Sequence, residues 1–174
     1  MQRAVIPSPY NAGPLEVTRI GRATHPLFDG TGAALHGARW NRKGQYVIYG
    51  ATSYAGALLE ILVHSNLGRV PKGFASIQIH ISANVLIEEL HPENLAGWDH
   101  ADGEASRAWG SQWYEEMRSL VLLVPSVPSG GVDRNVLIHQ RHPDFPLITA
   151  SKPTPVRWDK RLFGISRGVR RGHK

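Results

Sequence analysis

Three side chains, Arg39, Tyr49 and Glu60, have the types and spacing to act together on one small anionic substrate. Arg39 stands in a basic loop with Gly37, Arg42, Lys43 and Gly44. A guanidinium donates two parallel hydrogen bonds to phosphate oxygens, so an arginine in such a loop suits a phosphorylated ligand. Tyr49 ends a short apolar run and offers a flat face for stacking and a hydroxyl for a hydrogen bond. Glu60 is the only acidic residue between Asp29 and Glu88. A lone carboxylate on an apolar segment can accept hydrogen bonds from sugar hydroxyls and stabilise positive charge developing at an anomeric carbon. Together the three fit a nucleotide whose glycosidic bond is broken. They also fit a buried Arg39–Glu60 ion pair with Tyr49 in the core, and residue types alone favour that plainer arrangement.

Ser126 is a fourth polar group, placed just beyond an apolar run where it can line a cleft. It has no G-x-S-x-G context, so a nucleophile elbow is not indicated. The chain has nine histidines and no cysteine. His139 and His142 lie near each other across a strand end, but there is no H-E-x-x-H and no Cys/His cluster, so no metal site is expected. Walker and G-x-G-x-x-G loops are likewise missing.

The elements that must carry these residues can be read from periodicity. Leu15–Ile20 alternates as a short strand with Arg19 on its polar face. Residues 21–38 hold five glycines and prolines (Gly21, Pro26, Gly30, Gly32, Gly37) and read as a long loop, which is uncommon unless it serves a site. Gln45–Tyr49 reads as a strand. Thr52 or Ser53 is placed to cap a helix whose stripe is Tyr54, Ala57, Leu58, Ile61 and Leu62. Leu59 and Val63 lie off that stripe, so the helix is expected to be buried nearly all round, with Glu60 opposite the stripe facing protein or a cleft. Phe74–Ile81 alternates as a half-buried strand, and Val85–Ile87 extends it or starts another. Glu104–Ser119 is a helix with Trp109, Trp113 and Met117 as core. Leu120–Val124 is a buried central strand, Asn135–His139 a further strand, Leu147–Thr149 a short one, and Val156–Trp158 a last one. Several short strands with two helices and no dividing linker give an α+β chain.

At 174 residues the chain suits one domain, 1–174, with a core from about 15 to 164 and a basic tail over 165–174. The net charge of +6 favours anionic partners. No window approaches 18 apolar residues and the first 14 lack a signal-peptide apolar stretch, so no membrane association and a cytoplasmic home are expected.

Ordered blocks run along most of the chain: Arg19-Ile20, Gly32-Ala33, Gly37-Ala38-Arg39-Trp40-Asn41 followed by Gly44, then Tyr49 and Glu60. Gly110 with Trp113, Val124-Pro125-Ser126, Asn135, His142-Pro143-Asp144-Phe145 and Asp159-Lys160-Arg161-Leu162 follow. In this order the series resembles the RES domain family, the toxin half of Res–Xre type II toxin–antitoxin modules. Two departures stand out. Ala38 occupies a position that is often a second glycine, and Asn135 is followed by Val136-Leu137-Ile138-His139-Gln140 rather than by an aromatic residue and Asn-Pro.

The resemblance implies a mixed-sheet α+β core similar to bacterial ADP-ribosyltransferase toxins, with a cleft for NAD+. It implies that NAD+ is the substrate, hydrolysed to nicotinamide and ADP-ribose or used to ADP-ribosylate a protein. The family's Arg, Glu and Ser match Arg39, Glu60 and Ser126, and a further active-site tyrosine matches Tyr49. Arg39 would hold the phosphates, Tyr49 would pack on the nicotinamide ribose or ring, Glu60 would stabilise the transition state, and Ser126 would orient the substrate. Arg19 and Asn135 would join the pocket wall. An Xre-like antitoxin would block the cleft within a larger assembly and alone bring the chain to nucleic acid. The basic charge leaves a nucleic-acid-binding protein or ribonuclease toxin as an alternative of another class, and a non-catalytic binding module as a third.

Overall fold

The computed structural model describes Tyr10, residues 13–64 and residues 69–163. The basic tail read over 165–174 lies outside the described residues. The elements run β1 (Leu15–Arg22), α1 (Thr31–His36), β2 (Val47–Ala51), α2 (Tyr54–Val63), β3 (Phe74–Ile81) and β4 (Ile87–Glu89), then α3 (Glu104–Glu115), β5 (Val121–Pro125), β6 (Arg134–His139), β7 (Ile148–Ala150) and β8 (Thr154–Pro155). This is an α+β fold, as the pattern of elements predicts, on one mixed sheet, as the family resemblance implies.

The sheet order is β4-β5-β6-β2-β1-β3-β7, with β8 also paired to β3. Among the described strands only β4 and β5 run parallel, and the stretch joining them carries α3, because a parallel return needs a long crossover. Side chains alternate across each strand. Val121 and Leu123 of β5 join Val17, Ile48, Ile79 and Ile138 in one core. Leu122 and Val124 join Trp40, Val47, Trp113 and Leu137 in a second. Both faces of β5 are covered, which is why its sequence is continuously apolar. It is not central in position, however: only β4 separates it from the sheet edge.

The sheet is nearly severed in one place. β1 pairs with β3 along its whole length, and β2 pairs with β6 along its whole length, but β1 and β2 pair only at Thr18 opposite Ala51. At that junction Gly50 lets the strands touch, since a Cβ there would lie 2.5 Å from Val17 Cγ1. Away from it the strands part.

Several sequence expectations need correction. The stretch 21–38 contains α1, which is too short to show a helical period. The last strand is Thr154–Pro155 rather than Val156–Trp158. α3 stops at Glu115, and Met117, in a left-handed turn (φ 51°), is exposed rather than core. Ser53 caps α2 by accepting from the Gly56 amide at 2.9 Å, a contact worth about 1 kcal/mol. But α2 is not buried all round. Only Gly56 and Ala57 are buried, while Tyr54 and Val63 are exposed. The helix rests on the sheet through its smallest residues, with a Gly56 Cβ position 3.5 Å from Ala51 Cβ. That close seat turns the Ala57–Glu60–Ile61–His64 row inward and leaves the larger stripe half-exposed.

Candidate active site

Where β1 and β2 part, a cleft of about 210 Å³ opens beneath α2. Its walls are Thr18, Arg19 and Ile20 of β1, Tyr49, Gly50 and Ala51 of β2, and Asn135 of β6, with Ala57, Glu60, Ile61 and His64 closing it from α2. Asn135 stands opposite Ala51, and Leu137 opposite Tyr49, so Asn135 and Tyr49 project from one face of the sheet.

Glu60 is the acid of this cleft. Asn135 Nδ2 donates to Glu60 Oε1 at 2.6 Å, and Ser126 Oγ donates to the same oxygen at 3.0 Å. Ser126 is almost wholly buried, at the end of β5. Two donors on one oxygen fix the carboxylate plane and leave Oε2 without a partner among the described residues. The two donors hold the carboxylate in one orientation toward the cleft.

Arg19 reaches across the split. Its Nη1 donates to the Tyr49 carbonyl at 2.9 Å, and Nη2 to the Asp29 carbonyl at 3.4 Å. The first bond replaces a ladder bond that the divergence of β1 and β2 removes. Arg19 Nε is buried with no hydrogen-bond partner among the described residues. Burial pulls the guanidinium pKa below its ordinary value, against the raising effect of nearby Asp29. A buried donor left unmet costs on the order of 1–3 kcal/mol, and more when charged.

Tyr49 is held at its tip. Its hydroxyl donates to Asn41 Oδ1 at 2.7 Å, and burial pushes its pKa well above the usual phenol value. Its ring packs against the second core.

Arg39 is placed elsewhere from the cleft lining. Its Nη1 donates to the carbonyls of His100 at 2.8 Å and Trp98 at 3.3 Å. Arg39 and Glu60 therefore do not pair with each other; each is satisfied by other groups. The segment carrying Arg39 is seated by α3: Gly110 lies directly against the Trp40 carbonyl, leaving no room for a side chain. Arg107 Nε donates to the Ala38 carbonyl on the other side of Arg39.

The structure thus gathers Glu60, Ser126 and Asn135 by direct contact, with Arg19 and Tyr49 lining the same cleft. Arg39 is anchored on the 98–100 loop and is not among the residues that line the cleft. Sequence reading missed His64, which enters by its place four residues after Glu60. It also missed Asn41, whose only signal was its position directly after Arg39-Trp40. Among the described residues no three His, Asp or Glu side chains gather as metal ligands would, and no helix is long and apolar enough to cross a membrane.

A mixed sheet split beside one clamped carboxylate makes an α+β fold with a cleft between two half-sheets. The chain belongs to the RES domain family, whose model matches residues 16–159. It is 40% identical over 140 residues to the "Prs ADP-ribosylating toxin" of Sphingobium sp. (strain YBL2), covering 77% of this chain and 85% of that one. It is 36% identical over 139 residues to "Toxin Res" of Yersinia enterocolitica serotype O:8, covering 76% and 88%. Among solved structures it resembles the M. tuberculosis MbcT–MbcA toxin–antitoxin complex, with TM-score 0.69, 18% identity and 87% of each chain covered. That last likeness is one of fold.

Proposed function

We propose that this chain is the toxin of a toxin–antitoxin pair and consumes NAD+, hydrolysing it to nicotinamide and ADP-ribose. The observation that carries the reading is the clamp on Glu60, whose Oε1 is held by Asn135 and Ser126 while the side chain lines the cleft. The name of the Sphingobium relative supports NAD+ as the substrate.

Nicotinamide is a cationic leaving group. The bond from the anomeric carbon to the ring nitrogen breaks, its electron pair neutralises the ring, and positive charge moves onto the ribose. No general acid is needed. Glu60 Oε2 faces that charge and accepts from ribose hydroxyls; a fixed negative group aimed where charge develops is worth more in a dry cleft than in water. Tyr49 packs its ring on the nicotinamide ribose. Arg39 has Nε and Nη2 unused by the described residues and takes phosphate oxygens with them. Arg19 supplies its unmet Nε to the pocket wall. Ser126 and Asn135 orient Glu60, and through it the substrate. Water then attacks the ribosyl cation and gives up a proton.

The reading treats residues 1–174 as one domain acting in the cytoplasm. Its partner is an antitoxin of the Xre type that covers the cleft mouth. The fold neighbour MbcT was solved in complex with an antitoxin, MbcA, which supports such a partner.

A second reading has its own support: the Sphingobium relative is named for ADP-ribosylation, so a protein side chain could replace water as acceptor. NAD+ labelled in its adenylate half separates the two. Free labelled ADP-ribose with no labelled protein is the expected result. Stoichiometric label on a host protein would make the chain a transferase. No loss of NAD+ at all, with strongly salt-dependent RNA binding instead, would replace both readings.

A further inference from the structure

Asn41 is fully buried, and no part of the reaction just described uses it. A buried amide must have its hydrogen-bonding groups met, and what meets them joins two parts of the site. Its Oδ1 takes the Tyr49 hydroxyl at 2.7 Å. Its Nδ2 donates to the Ala33 carbonyl at 3.0 Å and the Arg42 carbonyl at 2.9 Å, with the Gln45 carbonyl at 3.3 Å. Its backbone closes a small bridge to Ala38, whose amide donates to the Asn41 carbonyl at 3.0 Å. Arg39 and Trp40 form the tip of that bridge.

We infer that Asn41 is a positioning residue that sets the Tyr49 ring and the Arg39 turn as one unit, so that the Tyr49 hydroxyl is an internal tether and not a substrate contact. The inference rests on the proposed NAD+ reading. Its chemistry is direct: a phenol has one proton to donate, and here Asn41 accepts it. A backbone hydrogen bond from Trp40 also reaches the hydroxyl, so the ring is what Tyr49 has left for anything in the cleft. The same amide holds the Arg42 and Gln45 carbonyls of the loop that presents Arg39 and ties that loop to the Ala33 carbonyl of α1. Losing it frees both groups at once, and misplacement of a binding group by about 1 Å can cost on the order of 100-fold.

The test is a mutant cycle read by nicotinamide release from NAD+, together with tyrosine Raman spectra of the full chain. If the wild type releases no nicotinamide, the NAD+ reading fails, and the spectra still test the tether. Asn41→Ala is expected to raise KM roughly 10- to 100-fold with kcat less affected, and to abolish the spectral signature of a donating Tyr49 hydroxyl, identified by its absence in Tyr49→Phe. Asn41→Asp keeps the acceptor for Tyr49 and loses the loop donors. Where it folds it should keep the signature; Tyr49→Phe, which breaks the same bond from the other end, should raise KM by less and serves if neither Asn41 variant folds. The double variant Asn41→Ala/Tyr49→Phe should be no worse than Asn41→Ala alone, because both changes break one bond. Multiplying losses in the double variant would mean that the hydroxyl touches substrate. An unchanged Tyr49 signature in folded Asn41→Ala, or an unchanged KM in both Asn41 variants, would overturn the positioning role.

Discussion

Asn135 donates to Glu60 at 2.6 Å across 75 residues of sequence. The contact makes β6 a support for the helix α2, and it gives the first prediction. Asn135→Asp sets a second carboxyl where a donor stood. Two adjoining carboxyls cannot both ionise freely, so one pKa rises. Because the proposed reaction needs Glu60 ionised, the acid limb of the pH–rate profile should move to higher pH. Asn135→Ala, which removes the donor but adds no charge, should lower kcat and move that limb less than Asn135→Asp does. Steady-state nicotinamide release across pH distinguishes the two.

Glu60→Gln preserves shape and removes charge. Turnover should fall by at least about 100-fold, while the melting curve stays within about 1 kcal/mol of wild type in stability. Loss of activity with loss of fold would point to a packing role instead. Chromatographic detection of released nicotinamide and a thermal melt decide the matter.

Gly110→Ala tests how α3 seats the Arg39 segment. The added methyl would meet the Trp40 carbonyl, a backbone atom with no rotamer to yield. Overpacking of this kind costs typically about 1–3 kcal/mol, and here it also displaces the residue next to Arg39. Denaturant unfolding should show the loss of stability, and folded protein should show a raised KM for NAD+.

A pH dependence of stability follows from His139. Its ring is buried, stacked on Tyr114 with centroids 3.8 Å apart and edge-on to Trp113 and His142. Burial holds its pKa below the ordinary 6.5, against the hydrogen bond to the Tyr114 carbonyl, which raises it. The unfolded chain therefore takes up a proton there that the folded chain refuses. Stability contributed this way is present above the ordinary value and is lost as pH falls below it. Chemical denaturation at about pH 7.5 and 5.5 should show the fall, and His139→Gln should flatten it if the variant folds.

Much of the framework was legible in the chain because local pattern and burial agree. The strict alternation of Phe74–Ile81 marks a half-buried strand, and β3 is one, with Ile77, Ile79 and Ile81 buried and Gln78 and His80 exposed. The unbroken Leu120–Val124 run marks a strand covered on both faces. What was not legible depends on partners distant in sequence. α1 has six residues and no side-chain cap, too few to show a period. The seat of α2 depends on how near Gly56 comes to Ala51, which reverses the face that its large residues suggest. Arg39 is anchored by carbonyls 59 and 61 residues away, and no residue type advertises a backbone acceptor. Ser126, Asn135 and Glu60 were each singled out, but that both donors share one oxygen emerges only from the pairing of β5 with β6 and the fall of α2 across them.

The single rung between Thr18 and Ala51 has a mechanical consequence. The two half-sheets share a core but are joined along their backbones by that one rung, with the Arg19 guanidinium as a second stitch. A ligand lodged in that seam touches both halves, so it adds stitches where the backbone has none. Binding there is expected to stiffen the chain as a whole, not only the walls it touches, and a partner that fills the same seam competes for that gain in rigidity as well as for the space.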